Sequence, residues 1–336
     1  LEAYKEIIEN LFADQPGACF DFNQSHILFD CLGFNVTSNG TTTTGFNISN
    51  TATFSLSNIT IQNCNIQNFS IGINVSSASN ISLFNNNITN VTDGIWLNNT
   101  AGSVLENNTA NATAGYGLFL TNSSNNTINN GNFSSNAGAS SLYGIYLLSS
   151  KNNVLNNNRG TSDTGGIWLD SSSNNILTGN TGTVATAYGI ILNSNSNNNI
   201  LTNNTGTSNN YNGIVIYASS NNNVLTNNTG ISSNYNAIVI YSSSNNNISG
   251  NTGTTGTVNG LLLDSNSNNN ILINNTFSGA LAIFIQTTSN NNFTNNTLIG
   301  NTGFEINGST NILITNSSFL NTNWSIKAAL GSNFSL

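Results

Sequence analysis

The hydrophobic and polar positions of this chain recur in a unit of about 22 to 27 residues. The run Gly213-Ile214-Val215-Ile216-Tyr217 returns one unit later as Ala237-Ile238-Val239-Ile240-Tyr241. A second apolar pair follows each run, as in Val224-Leu225, and Ser/Asn-rich and Asn/Thr-rich segments separate them. Short apolar runs at a nearly constant interval are typical of a solenoid, here with a unit of strand, turn, strand, turn and short third strand.

This periodicity predicts an all-β fold, a right-handed parallel β-helix with three sheets and about a dozen coils. An antiparallel sandwich would need Gly/Pro hairpins at varied intervals, and the chain contains one proline. A leucine-rich repeat would show its own leucine skeleton and a helix in each unit, and neither pattern is present.

Asparagines recur at fixed places in the repeat. Asn adopts the left-handed backbone conformation of tight turns, and asparagine side chains stacked at strand spacing hydrogen-bond to one another along the column. We therefore interpret these asparagines as structural rather than ligand-binding. One predicted column is Asn126, Asn153, Asn175, Asn199, Asn223, Asn247, Asn270 and Asn292. The other is Asn108, Asn180, Asn204, Asn228, Asn251, Asn275 and Asn296.

Residues 1–16 are predicted to form an N-terminal capping segment. Leu1, Tyr4, Ile8 and Phe12 share one face at helical spacing, so the segment 1–12 is expected to be an amphipathic helix. A helix there would cover the open edge of the first coil, an interpretation we favour over a membrane or partner helix. Residues 17–336 are then one β-helix domain, without membrane insertion, and we expect any targeting sequence to have been removed.

The opening segment GACFDFNQSHILFDCLGFNVTSNG (17–40) and the later Gly-Ile-x-Leu…Asn-Asn-Thr units resemble NosD-like right-handed β-helix repeat proteins of the pectin-lyase-like superfamily. The resemblance covers nearly the whole chain and implies a scaffold, not an activity. NosD is linked to copper-site maturation. This chain has one histidine, His26, no methionine and three cysteines, so we transfer no copper role and predict no metal and no cofactor.

The three cysteines, Cys19, Cys31 and Cys64, lie in the first coils. An odd count is compatible with one disulfide and one free thiol. The family resemblance implies a Cys19–Cys31 pair. The alternative is that all three are reduced and act as small buried apolar residues. A zinc site is not predicted, because Cys-x-x-Cys spacing is missing.

Asn-x-Ser/Thr sequons are frequent, although an Asn/Ser/Thr-rich chain produces many by chance. Only 5% of the residues are charged, and a coat of glycans would supply solubility that charge does not. We therefore predict an extracellular or cell-surface glycoprotein; the net charge of −8 disfavours nucleic acid as a partner. The glycosylation candidates are Asn35, Asn58, Asn74, Asn87, Asn111, Asn132, Asn227, Asn274, Asn307 and Asn323.

A sequon-free window between Asn132 and Asn203 contains Lys151, Arg159, Asp163 and Asp170. If glycans cover the remainder, this bare belt is a candidate contact surface, and chance distribution of the sequons is the competing interpretation.

A second candidate surface is the outward position of each Gly-Ile-x-Leu run. This column begins with Trp96, Phe119, Tyr146 and Trp168, and aliphatic residues follow. Three interpretations stay open: a returning segment of the same chain covers the column, a neighbouring molecule packs on it, or its rings form a platform for sugars.

These features predict a structural glycoprotein, a self-associating subunit of a surface filament, sheath or surface layer. The alternatives are a glycan-binding adhesin and a polysaccharide lyase or epimerase. Enzyme activity is not predicted, because acidic residues do not cluster: Asp170 and Asp264 occupy equivalent places in coils far apart.

Overall fold

The structure, a computed structural model, describes residues 12–13, 17–38, 43–49, 56–136, 142–329 and 331–336. Regular structure in these ranges consists of 42 β-strands without a helix. The strands pair in parallel and form three sheets in about 13 turns, so the predicted parallel β-solenoid is confirmed.

The chain divides into two compact units, Leu1–Asp163 and Thr164–Leu336. The strands of unit 1 are β1 (Phe12–Ala13), β2 (Ala18–Phe22), β3 (Ile27–Asp30), β4 (Asn35–Ser38), β5 (Thr44–Ser49), β6 (Ile59–Gln62), β7 (Asn65–Gln67), β8 (Ile71–Ser76), β9 (Ser82–Phe84), β10 (Asn87–Val91), β11 (Asp93–Asn98), β12 (Val104–Glu106), β13 (Thr109–Ala112), β14 (Leu118–Thr121), β15 (Thr127–Asn129), β16 (Asn132–Ser135), β17 (Tyr143–Leu148), β18 (Val154–Asn156) and β19 (Arg159–Ser162).

The strands of unit 2 are β20 (Gly165–Asp170), β21 (Ile176–Thr178), β22 (Thr181–Val184), β23 (Tyr188–Asn193), β24 (Ile200–Thr202), β25 (Thr205–Ser208), β26 (Ile214–Tyr217), β27 (Val224–Thr226), β28 (Thr229–Ser232), β29 (Ile238–Tyr241), β30 (Asn247–Ser249), β31 (Thr252–Thr255), β32 (Asn259–Asp264), β33 (Ile271–Ile273), β34 (Thr276–Ser278), β35 (Leu281–Gln286), β36 (Asn292–Thr294), β37 (Thr297–Ile299), β38 (Thr302–Asn307), β39 (Ile312–Thr315), β40 (Ser318–Leu320), β41 (Trp324–Ala328) and β42 (Phe334–Ser335).

Within each unit, every third strand belongs to the same sheet. In unit 1, sheet A contains β1 and every third strand after it; in unit 2, it begins with β22. Sheet B begins with β2 and with β20, and sheet C begins with β3 and with β21. One turn of the solenoid therefore contributes one strand to each sheet, and residues at the same place in the repeat stack on one another.

The Gly-Ile-x-Leu run forms the sheet B strand, as its alternation predicts. In β11, Ile95 and Leu97 are fully buried, whereas Trp96 between them is half-buried on the outer face. Sheet C alternates in the same way: Leu105 of β12 is buried, and Val104 before it faces outward. The core is thus a stack of Ile, Leu, Val and Phe side chains enclosed by the three sheets.

Buried asparagine ladders stabilise the corners before sheets A and C. Each ladder amide bonds to the next turn, as Asn180 Nδ2 does to Asn204 Oδ1 at 3.0 Å. The second predicted column is confirmed in unit 2. The first was displaced by one residue at two turns: Asn246 and Asn291 are the buried ladder residues, whereas Asn247 and Asn292 begin strands β30 and β36 and face outward. In an Asn-Asn-Asn run, only the backbone register decides which side chain turns inward.

The predicted N-terminal helix lies outside the described residues, except for its last residue. Phe12 belongs to β1, which pairs in parallel with β4. Residue 12 is therefore part of the solenoid rather than of a helix. The proposed domain boundary at residues 16 and 17 stays a prediction. No helix in the described part of the chain is long and apolar enough to cross a bilayer.

The predicted Cys19–Cys31 disulfide is wrong. Cys31 is bonded to Cys64, with 4.8 Å between the two Cα atoms, and Cys19 is a free thiol. Cys31 follows β3 and Cys64 lies one turn further on, after β6, so the stacking of the sheet brings them together. Cys19 is on β2 in sheet B, and burial raises the pKa of its thiol to about 11.

Candidate functional site

The outer face of sheet B in unit 1 carries a continuous column of side chains, which we call the sheet B column. Parallel pairing brings into one row Asp21, Asn47, Asn74, Trp96, Phe119 and Tyr146. The first three positions are polar and the last three are aromatic. The column therefore changes chemical character halfway along a single row.

The polar half is hydrogen-bonded along its length. The amide of Asn47 donates to Asp21 Oδ1 at 2.5 Å, and Asn74 Nδ2 donates to Asn47 Oδ1 at 2.8 Å. Ser49 Oγ, on the same strand as Asn47, also donates to Asn47 Oδ1, at 2.6 Å. These bonds hold the amide and carboxylate groups in fixed orientations on the surface of the sheet.

Two further tyrosines extend the aromatic half into what we call the aromatic ladder: Trp96, Tyr116, Phe119, Tyr143 and Tyr146. The Phe119 and Tyr146 rings are stacked, with centroids 5.1 Å apart and an interplanar angle of 8°. Trp96 meets Phe119 edge-on at 5.7 Å. Tyr116 lies 4.8 Å from Phe119 and 5.4 Å from Tyr146. All five side chains are half-buried, so each ring keeps part of its surface open to solvent.

Asp93 lies beside the aromatic ladder at the start of β11. Its Oδ1 accepts a hydrogen bond from the backbone N–H of Tyr116 at 2.7 Å. Burial raises the pKa of the Asp93 carboxyl, and the Tyr116 N–H and the indole of Trp96 oppose that rise without cancelling it. Burial, followed by the charge of Asp93, also raises the pKa of Tyr116.

The indole Nε1 of Trp96 is buried and makes no hydrogen bond of normal geometry. This indole N–H is near enough to Asp93 to lower the pKa of that carboxyl. It nevertheless has no hydrogen-bond acceptor in good geometry. A buried donor left in this state is uncommon and calls for an explanation, of which a functional role is one. The ladder therefore combines ring faces, an acceptor and an unused donor.

In unit 2 three of the same outward positions are buried, whereas others, such as Trp168 and Phe284, stay half-buried. Ile191, Val215 and Val239 are only 2%, 2% and 5% exposed. Side chains of neighbouring positions, including Tyr188 and Tyr241, pack against them, together with Trp168 and Leu262. For this unit the coverage comes from the chain itself, through side chains that flank the column rather than through a returning segment.

Two rows of tyrosines flank these positions, and Tyr188 and Tyr241 are their members that pack against the buried residues. Tyr188, Tyr211 and Tyr235 form one row, with centroids 5.1 and 4.7 Å apart. Tyr217 and Tyr241 form a second row at 5.2 Å. Burial and the neighbouring tyrosine hydroxyls, Tyr211 first, raise the pKa of Tyr188 to about 12.

The charged residues of the predicted bare belt do not share one face. Lys151 is exposed between sheets B and C, where its backbone forms an isolated parallel β-bridge with Ser124. Arg159 is exposed at the start of β19 in sheet A, and Asp163 follows that strand. Asp170 ends β20 in unit 2. The residues close in sequence are spread around the solenoid, because a single turn passes through all three sheets.

None of the ten predicted glycosylation asparagines is buried; Asn74, Asn111 and Asn307 are half-buried and the other seven are exposed. Asn227 and Asn274, however, occupy left-handed turn positions at φ 54° and 56°, and each precedes a ladder asparagine and an outward threonine. The repeat itself therefore generates these Asn-Asn-Thr sequons. Asn74 belongs to the polar half of the sheet B column, where a glycan would replace an N–H that Asn47 or Ser49 now accepts. Occupancy stays a prediction.

Comparison with known families agrees with this architecture. Residues 3–143 match the family model described as right handed beta helix region, and residues 129–234 match the one described as periplasmic copper-binding protein (NosD). Each model covers less than half of the chain, and the two together support a NosD-like right-handed β-helix protein. It has no significant match among curated protein sequences.

Solved structures similar to this NosD-like protein include enzymes, a phage tailspike and an adhesin. The Dettilon tailspike protein is 14% identical over 88% of this chain and 62% of its own, with a TM-score of 0.52. The A-module of Azotobacter vinelandii mannuronan C-5 epimerase AlgE6 is 12% identical over 90% and 82%, at 0.46. The Streptococcus pneumoniae surface protein and adhesin PfbA is 12% identical over 92% and 91%, at 0.46. At 14% identity, the similarity to the tailspike protein shows the fold alone.

Copper does not fit the donor groups of this NosD-like protein. Its single histidine, His26, lies on an exposed turn near the amide of Asn58. Cys31 and Cys64 are consumed by their disulfide. Among the described residues, no three His, Cys, Asp or Glu side chains are grouped closely enough to hold a metal ion. The soft and imidazole ligands that copper prefers are therefore not assembled there.

Sequence reasoning missed the polar half of the column and the two extra tyrosines. A signal for the first exists: Gly45-Phe46-Asn47 and Gly72-Ile73-Asn74 have the same pattern as Gly94-Ile95-Trp96, so the column extends two turns further. Tyr116 and Tyr143 stand outside the Gly-Ile-x-Leu run. Only the path of the chain into the strand shows that their rings reach the ladder.

Proposed function

We propose that the NosD-like protein binds a neutral carbohydrate chain on the outer face of sheet B in unit 1. The observation that carries this proposal is the aromatic ladder joined to a hydrogen-bonded polar row. Sugar rings present apolar C–H faces and hydroxyl edges, so they suit aromatic faces flanked by fixed amide and carboxylate groups. Successive turns are about 4.8 Å apart, which is close to the length of one pyranose unit in an extended chain.

The charges of this face favour a neutral glycan over an acidic one. Among the described residues of unit 1, its carboxylates are Asp21 and Asp93, and the Lys and Arg side chains, Lys151 and Arg159, lie outside sheet B. In this described part, an acidic sugar would meet negative charge without a Lys or Arg partner on the same face. The proposal therefore names hydroxyl-rich uncharged polysaccharide as the ligand class.

Binding rather than hydrolysis is supported by the spacing of the two carboxylates. Backbone pairing places Asp93 three turns from the turn of Asp21. Three turns correspond to roughly 14 Å along the stack. A glycosidase pair needs carboxyl groups about 5 to 9.5 Å apart, so these two do not form one.

We expect Trp96→Ala to weaken glycan binding by roughly 30-fold, the effect of losing about 2 kcal/mol at a central aromatic contact. Purified wild type and variant would be compared on an array of neutral and acidic oligosaccharides, and hits titrated by calorimetry. Tyr217→Ala is the matched control, because it removes an exposed aromatic from the same sheet in unit 2. Absence of binding by the wild type to every neutral glycan would reject the proposal.

The variant Asp93→Asn tests whether Asp93 contributes to glycan binding, independently of its effect on the stability of the fold. The folded-state pKa of Asp93 lies above its unfolded value, so its ionised form costs stability at neutral pH, and that cost disappears as pH falls through the raised pKa. The variant should bind the glycan more weakly yet unfold at a higher temperature at neutral pH. Its stability advantage over the wild type should shrink on acidification; equal binding by both proteins would remove Asp93 from the site.

Lateral self-association is a second proposed function, supported by sheet C of unit 2. Four outward apolar side chains there are about two-fifths exposed: Ile176 at 40%, Ile200 at 43%, Ile271 at 42% and Leu313 at 38%. Asn247 and Asn292 interrupt their row on either side of Ile271. A second copy packed against this row would remove it from water. As a subunit of a larger surface assembly, the protein would lie outside the cytoplasm, where its Cys31–Cys64 disulfide is stable.

We expect the wild type to show concentration-dependent association in sedimentation velocity, and Ile200→Asn to reduce it. Asn247 and Asn292 occupy the equivalent position in other turns, so the fold accepts asparagine there. Ile231→Thr is the control, since it removes an isoleucine of similar exposure from sheet A. A wild type that stays monomeric at high concentration would exclude this function.

A further inference from the structure

Sheet A of unit 2 presents two straight ranks of short side chains on its outer face, which we call the threonine array. The first rank contains Thr181, Thr205, Thr229, Thr252, Thr276 and Thr297, paired turn to turn without interruption. The second rank stands two residues along each strand and contains Thr183, Thr207, Ile231, Thr254, Ser278 and Ile299. The strand motif is therefore Thr-x-Thr, with variations in the second rank alone.

The buried asparagine ladder holds the first rank in line. Each rank residue follows a ladder asparagine directly, as Thr205 follows Asn204 and Thr229 follows Asn228. The hydrogen bonds between side-chain amides of successive turns measure 2.9 Å from Asn204 Nδ2 to Asn228 Oδ1 and 3.0 Å from Asn228 Nδ2 to Asn251 Oδ1. Sheets of many strands stay flat when side-chain ladders of this kind restrain their twist. The array is thus anchored to a regular internal lattice.

The inward positions between the two ranks keep this sheet close to sheet B. They are glycine in four successive turns, Gly182, Gly206, Gly230 and Gly253, and all are buried. A Cβ on Gly206 would lie 2.4 Å from the carbonyl oxygen of Gly213. The backbone behind the array therefore packs directly on backbone, which limits its movement.

The hydroxyl groups of the first rank are uncommitted. Within the described part of the chain, none of the six side chains makes a hydrogen bond, and all six are half-buried. Hydroxyls on sheet C behave differently, since Thr294 bonds to Thr315 at 2.9 Å. Neither rank contains a charged or aromatic residue. The array offers only methyl groups and free hydroxyls, at regular intervals.

A soluble ligand is recognised in a concave site by a few converging groups, whereas this face is repetitive in two directions. Its partner should therefore be repetitive in two directions as well. The array repeats at about 4.8 Å between turns and roughly 6.6 Å between ranks. The oxygen lattice on a prism face of ice has repeats of similar size. Crystalline polysaccharide exposes sugar rings, which favour aromatic faces that the array does not contain.

We propose that the threonine array of unit 2 binds the surface of ice. Its hydroxyls replace water oxygens in the outermost lattice layer, and its methyl groups order the water between the ranks. No covalent step and no cofactor are involved. This site is on a different sheet from the proposed carbohydrate site, so the two proposals stand or fall independently.

The test measures incorporation of the full chain into a slowly growing ice hemisphere, together with thermal hysteresis by nanolitre osmometry. We expect the wild type to enter the ice and to show hysteresis, and Thr229→Tyr to lose both, because a bulky ring at the centre lifts the face from the lattice. Thr202→Tyr is the matched control: it makes the same change at an outward position of sheet C. Circular dichroism and melting temperature verify folding, and Thr252→Tyr repeats the test on the next turn.

Exclusion of the folded wild type from ice would overturn the proposal. Equal incorporation of folded wild type, Thr229→Tyr and Thr252→Tyr would overturn the assignment to this face. Sedimentation with crystalline cellulose or chitin provides a further arm. Retention there, combined with exclusion from ice, would also overturn the proposal and assign the array to a crystalline polysaccharide. The protein would be produced without N-glycans, because Asn227 and Asn274 flank the first rank.

Discussion

Asn228→Ala is expected to destabilise the protein by about 3 kcal/mol, since each buried polar group left without a partner costs about 1–3 kcal/mol. The Oδ1 atom of Asn228 accepts from the backbone N–H and the side-chain amide of Asn204 at 2.8 and 2.9 Å. Its Nδ2 donates to the Leu201 carbonyl at 2.8 Å and to Asn251 Oδ1 at 3.0 Å. Alanine would delete four hydrogen bonds in a fully buried corner and leave the backbone N–H of Asn204 without its acceptor.

Urea unfolding followed by circular dichroism measures this loss, with Asn227→Gly as the neighbouring control. Asn227 is exposed and has a φ of 54°, a conformation that glycine adopts readily, so its replacement should change stability little. The two adjacent asparagines should thus differ strongly in their effect. Similar midpoints for the two variants would show that the ladder does not carry the stability assigned to it.

Cys64→Ser is expected to cost about 3–4 kcal/mol, because the disulfide closes a long loop of the unfolded chain. Cys31 and Cys64 are 33 residues apart in sequence, and the bond joins consecutive turns of unit 1. Its loss should lower the melting temperature and first open the turns that contain β3 and β6. Differential scanning calorimetry and hydrogen exchange of these turns provide the measurement.

Cys19→Ser distinguishes the observed pairing from the one implied by family resemblance. Cys19 is a free thiol, so its replacement should leave the disulfide intact and lower stability far less than Cys64→Ser. Peptide mapping without reduction identifies the linked pair directly. A Cys19-containing disulfide peptide, or equal destabilisation by the two variants, would contradict the structure.

Much of the fold could be predicted from the sequence, because every turn of a solenoid repeats the same pattern of hydrophobic and polar positions. Alternation in Gly-Ile-x-Leu predicts Ile95 and Leu97 inside and Trp96 outside, and the structure confirms all three. The asparagine columns followed from the same periodicity. The first predicted column was wrong by one residue at two turns, where Asn246 and Asn291 are the buried ladder residues. Consecutive asparagines are the same residue type and differ only in backbone register.

The candidate sites were less accessible from the sequence. The outward residues of sheet B have one pattern throughout, yet the Trp96–Phe119–Tyr146 segment is open and Ile191–Val215–Val239 is covered. The covered residues are shorter, and larger neighbours such as Trp168, Tyr188 and Tyr241 pack against them. The directions of those rings depend on the turns before and after each strand, which the sequence does not give. The charged belt stays a prediction; its residues Lys151 and Arg159 are close in sequence but lie on different sides of the same turn.

The sequence by itself determined that this chain is a parallel β-solenoid, which residues face its core and which face its surface, since these depend on a period of two within strands and a near-constant repeat between them. Only the tertiary structure decided which cysteines pair, which outer rows are open, and that polar and aromatic side chains meet in one column. Those properties depend on contacts between turns, where a shift of one residue changes every neighbour.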